Sequence, residues 1–141
     1  MVARLLAAIA ALLCAIGPAR AQDAAWADVL AKARGQTVHW NAWAGDEKTN
    51  AFIAWVGDEV AKRHGVKVVH VKLKDTAEAV TRVVAEKAAG RDSGGSVDLV
   101  WINGANFLAL REQKLLYGPY AERLPNWRYV DTAHKRSNLI D

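Results

Sequence analysis

The stretch VHWNAWAGDEKTNAFIAW, residues 38–55, joins two periodicities and decides the fold class. Residues 37–42 alternate like a β-strand, and the turn Trp43-Ala44-Gly45-Asp46 follows. From residue 47 onward the apolar positions Phe52, Val56 and Val60 return every four residues, with Ile53 beside them, as expected of an amphipathic helix. Gly65 is a typical helix terminator. The stretch therefore predicts a strand that turns directly into a helix over residues 47–64.

The rest of the chain continues the same alternation of helices and strands. A short helix is predicted over residues 23–34, a strand over 66–73 (VKVVHVKL), a strand over 97–102 (VDLVWI) and a short helix over 106–113. Residues 75–78 have capping-box spacing and open a helix whose predicted inward side is Ala77, Val80, Val84 and Ala88. Residues 97–102 are apolar on both faces apart from Asp98, which predicts a strand in the middle of a parallel sheet. We expect an α/β fold with an open, mostly parallel sheet flanked by helices.

The N-terminus has the organisation of a secretory signal peptide. Arg4 precedes an apolar run over residues 5–16, Gly17-Pro18 breaks it, and Ala19-Arg20-Ala21 has the small-x-small pattern of a cleavage site. We expect cleavage after Ala21 and a periplasmic mature chain. The single cysteine, Cys14, would leave with the signal, so neither disulfides nor thiol chemistry are expected.

The net charge gives no support for a nucleic-acid partner. It is +4 for the whole chain and would fall to +2 without Arg4 and Arg20. The remaining basic residues are scattered along predicted helix faces and form no continuous basic stripe.

Each predicted strand ends in a loop suited to binding: residues 43–47, 74–76 and 103–106. Because parallel strands share one direction, their carboxyl ends lie at one edge of the sheet, where ligands of open α/β sheets bind near helix N-termini. Two interpretations of these loops remain open. Trp43 either packs beneath the turn or stacks on a solute, and Asp46 either caps the helix or faces the solute. Trp43 with Asp46 and Glu47 would suit a cationic amine, whereas helix N-termini would suit an anion.

Three segments, residues 35–60, 71–107 and 114–126, resemble the N-terminal part of extracellular solute-binding proteins of ABC importers, the YnjB-type group in particular. The most specific parts read WNAWxGDE and DLVWINGxNF. The resemblance implies a periplasmic receptor whose two lobes close on a small solute and deliver it to a membrane permease. Residues 22–141 would be the N-terminal part of lobe I in a type II periplasmic-binding fold, with the second lobe absent. The ligand-binding residues implied by the resemblance are Trp43, Gly45, Asp46, Asp75, Thr76, Asn103, Gly104 and Asn106.

The resemblance implies capture without catalysis, cofactor or metal. It leaves open the identity and charge of the solute and whether a second chain completes the fold. Compared with relatives that have both lobes, the chain is expected to be the product of a truncated reading frame, a gene fragment or a pseudogene.

No enzymatic motif competes strongly with this interpretation. The segment GRDSGGS follows a predicted helix and precedes a strand, whereas a phosphate-binding loop has the opposite order. The four histidines show no paired metal-ligand spacing, and no serine lies in a G-x-S-x-G elbow. A carboxylate-based periplasmic hydrolase that uses Asp46, Glu47 and Asp98 is a weaker alternative. Asp98 could also lie near the amino end of its strand with no catalytic role.

A third class of function is an exported interaction module. A parallel sheet that lacks covering helices would expose apolar surface and an unprotected edge. Residues 117–141 contain few apolar positions in register, so we expect self-association through the exposed core if nothing else covers it.

Overall fold

The computed structural model describes residues 26–134, so the predicted signal peptide and its cleavage site lie outside the described residues. Residues 33–117 form one compact unit, and residues 26–32 with 118–134 belong to a second. Helix α1 covers residues 26–33. The later elements are β1 (Thr37–Trp43), α2 (Glu47–His64), β2 (Lys67–Leu73), α3 (Ala77–Ala88), β3 (Leu99–Val100) and α4 (Gly104–Glu112). None of the helices in this part of the chain combines the length and apolarity that a bilayer crossing requires.

The three strands form a parallel sheet in the order β2-β1-β3, which confirms the predicted α/β class. Trp40 of β1 lies opposite His70 of β2 and Leu99 of β3. The central strand is therefore β1, where Asn41 and Ala42 are fully buried. The prediction that β3 lies mid-sheet was wrong. No further strand flanks it within residues 26–134, and Leu99 and Trp101 remain 42% and 50% exposed.

The helices lie on opposite faces of the sheet because the chain changes direction between its two crossovers. From β1 it crosses to β2 on one side, and from β2 it crosses back over β1 to β3. On one face, Gly57 of α2 packs against Val68 of β2, with 3.5 Å between a Cβ built at residue 57 and the Val68 Cβ. On the other, Arg82 of α3 bonds to Asn41 of β1. Helix α4 contacts α3 and so lies on the α3 side.

The core of the unit is small. Its largest fully buried side chains are Ile53, Leu110 and Asn41. Among the apolar positions of α2, Ile53 points at the sheet and is 1% exposed, whereas its neighbour Phe52 is 47% exposed.

Ala77 and Ala88 of α3 are also exposed, contrary to the predicted inward side. The covered face of the helix instead includes Ala79, which is 1% exposed, and Arg82. The covered face includes polar positions because the Arg82 side chain bonds to Asn41 and the Glu86 side chain bonds to Ser96.

The helix ends follow the predicted chemistry closely. Helix α2 has the predicted bounds and ends at Gly65 in the left-handed conformation, φ 67°, which glycine adopts without steric cost. Helix α4 begins at Gly104, two residues before the predicted start. Strand β3 is shorter than predicted and covers only Leu99–Val100. Before it, the His39 N–H donates to the Asp98 carboxylate instead of to a backbone carbonyl of β3.

A carboxylate fastens the loop between α3 and β3. Glu86 accepts hydrogen bonds from the Ser96 hydroxyl at 2.7 Å and from the Ser96 N–H, and it forms an ion pair with Arg91 at 3.6 Å. The Ser96 hydroxyl, with its backbone N–H next, lowers the pKa of Glu86. The segment GRDSGGS is thus a connection from a helix to a strand, as predicted.

The second unit contains two short 3-10 helices, Ala121–Arg123 and Pro125–Tyr129. Within it the Arg128 guanidinium lies 4.9 Å from the centre of the Tyr129 ring and donates to the Tyr129 hydroxyl. Both 3-10 helices are short and are closed by local backbone bonds, such as that from the Trp127 N–H to the Leu124 carbonyl.

Candidate functional site

All three predicted loops lie at the carboxyl edge of the sheet. The loop after β1 is tied to β2 by a bond from the Ala44 N–H to the Leu73 carbonyl, and the loop after β3 begins where the Trp101 N–H donates to the Asn41 carbonyl. The strand order reverses between β1 and β3, which makes the space outside these two strands the topological switch point of the sheet. Ligands of open α/β sheets bind at such a point. We call the loops 43–47, 74–76 and 103–106 the rim.

Trp43 packs on the turn and is also accessible. Its indole lies against Gly45 so closely that a Cβ built at residue 45 would stand 2.0 Å from the Trp43 Cζ2 atom. The same side chain is 48% exposed. The turn is held to α2 by the Asn50 side-chain amide, which donates to the Ala44 carbonyl at 3.0 Å. The two interpretations offered for Trp43 are therefore compatible, since one part of the ring is supported and another is open.

Asp46 caps helix α2. Its Oδ2 atom accepts from the Thr49 N–H at 2.8 Å and from the Thr49 hydroxyl at 2.7 Å. These bonds, the hydroxyl first, lower the pKa of the Asp46 carboxyl. The carboxylate is thus directed at the helix N-terminus and its dipole.

The predicted capping box at α3 is formed in part: Glu78 bonds back to Asp75, while the Asp75 side chain reaches Ala77 and the helix N-cap is Thr76. The Asp75 Oδ1 atom accepts from the Ala77 N–H at 2.8 Å, and Glu78 accepts from the backbone N–H groups of Lys74 and Asp75 at 3.1 Å. Thr76 makes no side-chain cap bond. It is 9% exposed and donates a long hydrogen bond, 3.5 Å, to the Trp101 carbonyl. The Thr76 side chain therefore joins the second and third rim loops instead of capping α3.

Asn103 caps α4, and Gly104 leaves the surface beside it open. The Asn103 Oδ1 atom accepts from the Asn106 N–H at 3.2 Å and from the Asn106 side-chain amide at 3.0 Å. No atom lies within 4 Å of a Cβ built at Gly104, so a ligand could approach the backbone there. The cap uses the Asn103 side-chain oxygen as an acceptor. It does not use the NH₂ group of the same side chain, which is a hydrogen-bond donor.

The acids of the hydrolase alternative do not form one constellation. Asp98 bonds to His39 near the amino end of β1, with the Nδ1 and Oδ2 atoms 3.0 Å apart. Asp46 follows Trp43, four strand residues further on, a rise of about 13 Å. Paired catalytic carboxylates lie within about 9.5 Å of each other. Within residues 26–134, no group of three or more histidine, cysteine or acidic side chains could hold a metal ion.

Two features of the site were missed in the sequence. The first is an open pocket of about 440 Å³ at the carboxyl ends of β1 and β2, lined by Trp43, Ala44, Gly45, Lys72, Leu73 and Lys74. The register pairs Trp43 with Leu73, so these two side chains share one face of the sheet, and Lys72, which is paired with Ala42, points to the other face. A larger groove of about 530 Å³ runs along α2 and the outer edge of β2 and touches no rim residue.

The second missed feature is the buried pair Asn41 and Arg82. Asn41 is fully buried, its Oδ1 atom accepts from the Arg82 Nη1 atom at 3.0 Å, and its amide donates to the carbonyls of His39 and Ser96 at 3.3 Å. A fully buried asparagine side chain needs such partners. The network holds β1, α3 and the loop before β3 together beneath the rim.

The fold and the rim define an α/β lobe with an open parallel sheet and a loop cluster at its switch point. Among known proteins, the chain is similar to Protein YnjB of Escherichia coli (strain K12), with 50% identity over 107 residues. The match covers 76% of this chain and 28% of that protein, so the chain spans less than a third of its relative's length. No protein-family model matches the chain, and no solved structure gives a significant match.

Proposed function

We propose that the chain is part of the periplasmic substrate-binding component of an ABC importer and that its rim binds a small solute. The observation that carries the proposal is the meeting of three loops at the switch point, with an exposed indole at Trp43 and an open backbone at Gly104. Sites of this kind bind through a few polar groups placed around an apolar surface. The resemblance in the WNAWxGDE and DLVWINGxNF segments supports the same class.

The proposed mechanism is capture without chemistry. A second lobe would close over the rim, and the shift between open and closed forms would present the solute to the permease. Because the rim supplies only one side of such a cleft, residues 22–141 alone should bind solute only weakly. A micromolar or tighter affinity in isothermal titration would contradict this part of the proposal.

The rim can be tested by nuclear magnetic resonance, which detects weak binding. The exported chain, labelled with ¹⁵N, is titrated with a small-molecule extract of the periplasm. We expect the backbone amides of Gly45, Gly104 and Asn106 to shift in a saturable way, while those of Gly90 and Gly94, in the loop at the opposite edge, stay still. Asn103→Ser keeps a capping oxygen but removes the amide NH₂, so it should weaken the shifts without unfolding α4. Unchanged rim amides at every extract concentration would refute the proposal.

Periplasmic localisation belongs to the same proposal and has its own test. If residues 1–21 are a cleaved signal, the exported product begins at Gln22, and its N-terminal peptide can be read by mass spectrometry. A product that retains Met1 and stays in the cytoplasm would contradict it.

A second candidate function is the exported interaction module, and an exposed aromatic surface favours it. Trp40 and Trp101 stack with ring centres 6.1 Å apart, on the side of the sheet that carries α2, and Leu99 lies beside Trp40 across the strands. We call Trp40, Leu99 and Trp101 the aromatic surface. Phe52 and Trp55 of α2 add further exposed rings, 47% and 58% accessible. Apolar surfaces of this kind often mark protein contacts. Self-association that depends on protein concentration and is abolished by Trp101→Ser would support this candidate.

A further inference from the structure

Strand β2 has one free edge. Within residues 26–134 it pairs with β1 on one side and has no neighbouring strand on the other. Lys67 and Leu73, at its two ends, bond through their backbone groups to residues that flank β1. Backbone groups alternate in direction along a strand, so the N–H and C=O groups of Val68, His70 and Lys72 point away from β1. Such an edge can accept another strand.

Helix α2 leaves this edge accessible. The groove of about 530 Å³ lies between α2 and the edge, and Val68 and His70 are among the residues that line it. The flank of α2 that borders the groove carries small residues, namely Ala54, Gly57 and Ala61. Small side chains allow another helix to pack closely on this flank. The groove therefore has room for a strand along β2 and a helix beside α2.

The edge is complementary to itself. When two copies of β2 pair antiparallel with His70 on a two-fold axis, His70 lies opposite His70 of the second copy, and Val68 lies opposite Lys72. All outward-pointing backbone groups of both copies then meet a partner. The axis is perpendicular to the sheet, so both α2 helices lie on the same face and their small flanks meet. A two-fold interface requires this kind of self-complementary surface.

The same register brings opposite charges together. Lys72 is paired with Ala42, which follows Asn41 and faces away from α3, so Lys72 lies on the α2 face of the sheet. Asp58 of α2 lines the groove together with Val68. Because Val68 lies opposite Lys72 of the second copy, Asp58 of one copy would lie beside Lys72 of the other. The two-fold axis repeats this contact at both ends of the interface.

Asp58 and Lys72 have no ion pair of their own within the described part of the chain. Asp58 lies level with Val68, and Lys72 is four residues further along the strand, a rise of about 13 Å. The two side chains of one copy are therefore too far apart to pair. A lysine on an edge strand usually discourages pairing, whereas in this register its charge is matched by a carboxylate.

We propose that the chain forms a two-fold dimer through the outer edge of β2, in which the small flanks of the two α2 helices meet and Asp58 of each copy pairs with Lys72 of the other. The dimer uses neither the rim nor the aromatic surface. Because the joined strands are antiparallel, the two rims lie at opposite ends of the combined sheet and both remain open. Dimerisation is thus a property beyond the proposed solute binding.

Charge reversal tests the interface. Analytical ultracentrifugation of the exported chain over a range of concentrations gives the dissociation constant of the dimer. Asp58→Lys and Lys72→Glu each place like charges together at both ends of the interface, so each should raise this constant about tenfold or more. Lys62→Glu is the matched control, because it reverses a charge on α2 outside the groove and should leave the constant unchanged.

A mixture of the two reversed variants separates pairing from a general loss of structure. The Asp58→Lys variant carries the partner that Lys72→Glu lacks, and the reverse holds for the other contact. An equimolar mixture should therefore form heterodimers, which native mass spectrometry resolves by mass. In hydrogen exchange, the amides of Val68, His70 and Lys72 should gain protection as the protein concentration rises.

Three outcomes would overturn the proposal. The first is a natural chain that sediments as a monomer at every concentration. The second is a dimer that both charge reversals leave intact. The third is a dimer that Trp101→Ser abolishes, which would assign self-association to the aromatic surface. Solute binding is judged separately, by the response of the rim amides to the periplasmic extract.

Discussion

The indole of Trp43 occupies the space in which a side chain at residue 45 would stand, since a Cβ built on Gly45 would lie 2.0 Å from the ring. Gly45→Ala should therefore displace the half-exposed ring from the turn, with little loss of stability because the ring can move into solvent. We expect a changed fluorine signal for Trp43 in the 5-fluorotryptophan-labelled chain and weaker binding of solute at the rim. Gly104→Ala is the control for the fluorine signal alone, because nothing lies within 4 Å of a Cβ there and the Trp43 ring should stay in place. An unchanged Trp43 signal in Gly45→Ala would contradict this geometry.

Ile53 and Phe52 are neighbours with opposite environments, 1% and 47% exposed. Ile53→Ala should lower the free energy of unfolding by about 2–5 kcal/mol, because it removes buried methyl groups and leaves a cavity. Phe52→Ala should lower it by less than about 1 kcal/mol. Urea denaturation of both variants makes the comparison. A larger loss of stability for Phe52→Ala than for Ile53→Ala would contradict the assignment of Ile53 to the buried face of α2.

The bond from Arg82 to Asn41 should contribute a measurable coupling. Asn41→Ala removes the buried acceptor, and its cost is about 1–3 kcal/mol. In a double-mutant cycle with Arg82→Met, we expect a coupling free energy of about 0.5–3 kcal/mol. Additive effects of the two substitutions would show that the bond contributes nothing to stability.

Acid should loosen the loop between α3 and β3 through Glu86. Bonds from Ser96 hold the pKa of Glu86 below its usual value of 4.5, so the unfolded chain binds protons more readily than the folded one. The stabilising contribution is present above about pH 4.5 and is lost as pH falls through the lower folded value. The protection of the Ser96 amide, measured as its hydrogen-exchange rate relative to an unstructured amide at the same pH, should fall in that range.

Glu86→Gln is the control for this pH dependence, because it cannot titrate. We expect its Ser96 amide to exchange faster than in the natural protein at neutral pH, with much less change on acidification. Asp46 has a pKa below its usual value of 3.8 and contributes in the same direction at the start of α2. Equal pH dependence of Ser96 exchange with and without Glu86 would contradict the role of this carboxylate.

Asn103 combines a capping role with the proposed binding role, and two substitutions separate them. Asn103→Ala removes the capping oxygen and should lower the free energy of unfolding by about 1 kcal/mol. Asn103→Ser retains a cap and should leave stability nearly unchanged. If the serine variant loses as much stability as the alanine variant, the side-chain amide has a structural role beyond the cap.

The sequence predicted the elements whose signals are local. The four-residue spacing after Glu47, the glycine at position 65 and the capping box at Asp75 gave the bounds of α2 and the start of α3, because caps and periodicity depend on neighbouring residues. The shared edge of the three loops also followed from the parallel alternation. The sequence could not reveal strand order, so β3 was placed mid-sheet although β1 is central.

The side-chain partners of the site were less predictable. Asn41 and Arg82 are 41 residues apart in sequence, and nothing local indicates their bond. The inward face of α3 was predicted in part: Val80 and Val84 are half-buried, whereas Ala77 and Ala88 are exposed. Arg82 and Glu86 are half-buried as well, because each reaches a polar partner.

The six tryptophans provide the most direct test of the central claim that the rim is the solute-binding surface. Trp43 reports on the rim, and Trp40 and Trp101 report on the aromatic surface. Fluorine spectra of the exported, 5-fluorotryptophan-labelled chain are recorded during titration with periplasmic extract and, separately, during dilution of the protein. We predict that the extract shifts the Trp43 signal in a saturable way and leaves those of Trp40 and Trp101 unchanged. A Trp43 signal that never responds, with Trp40 and Trp101 signals that change on dilution, would contradict the claim and favour the interaction module.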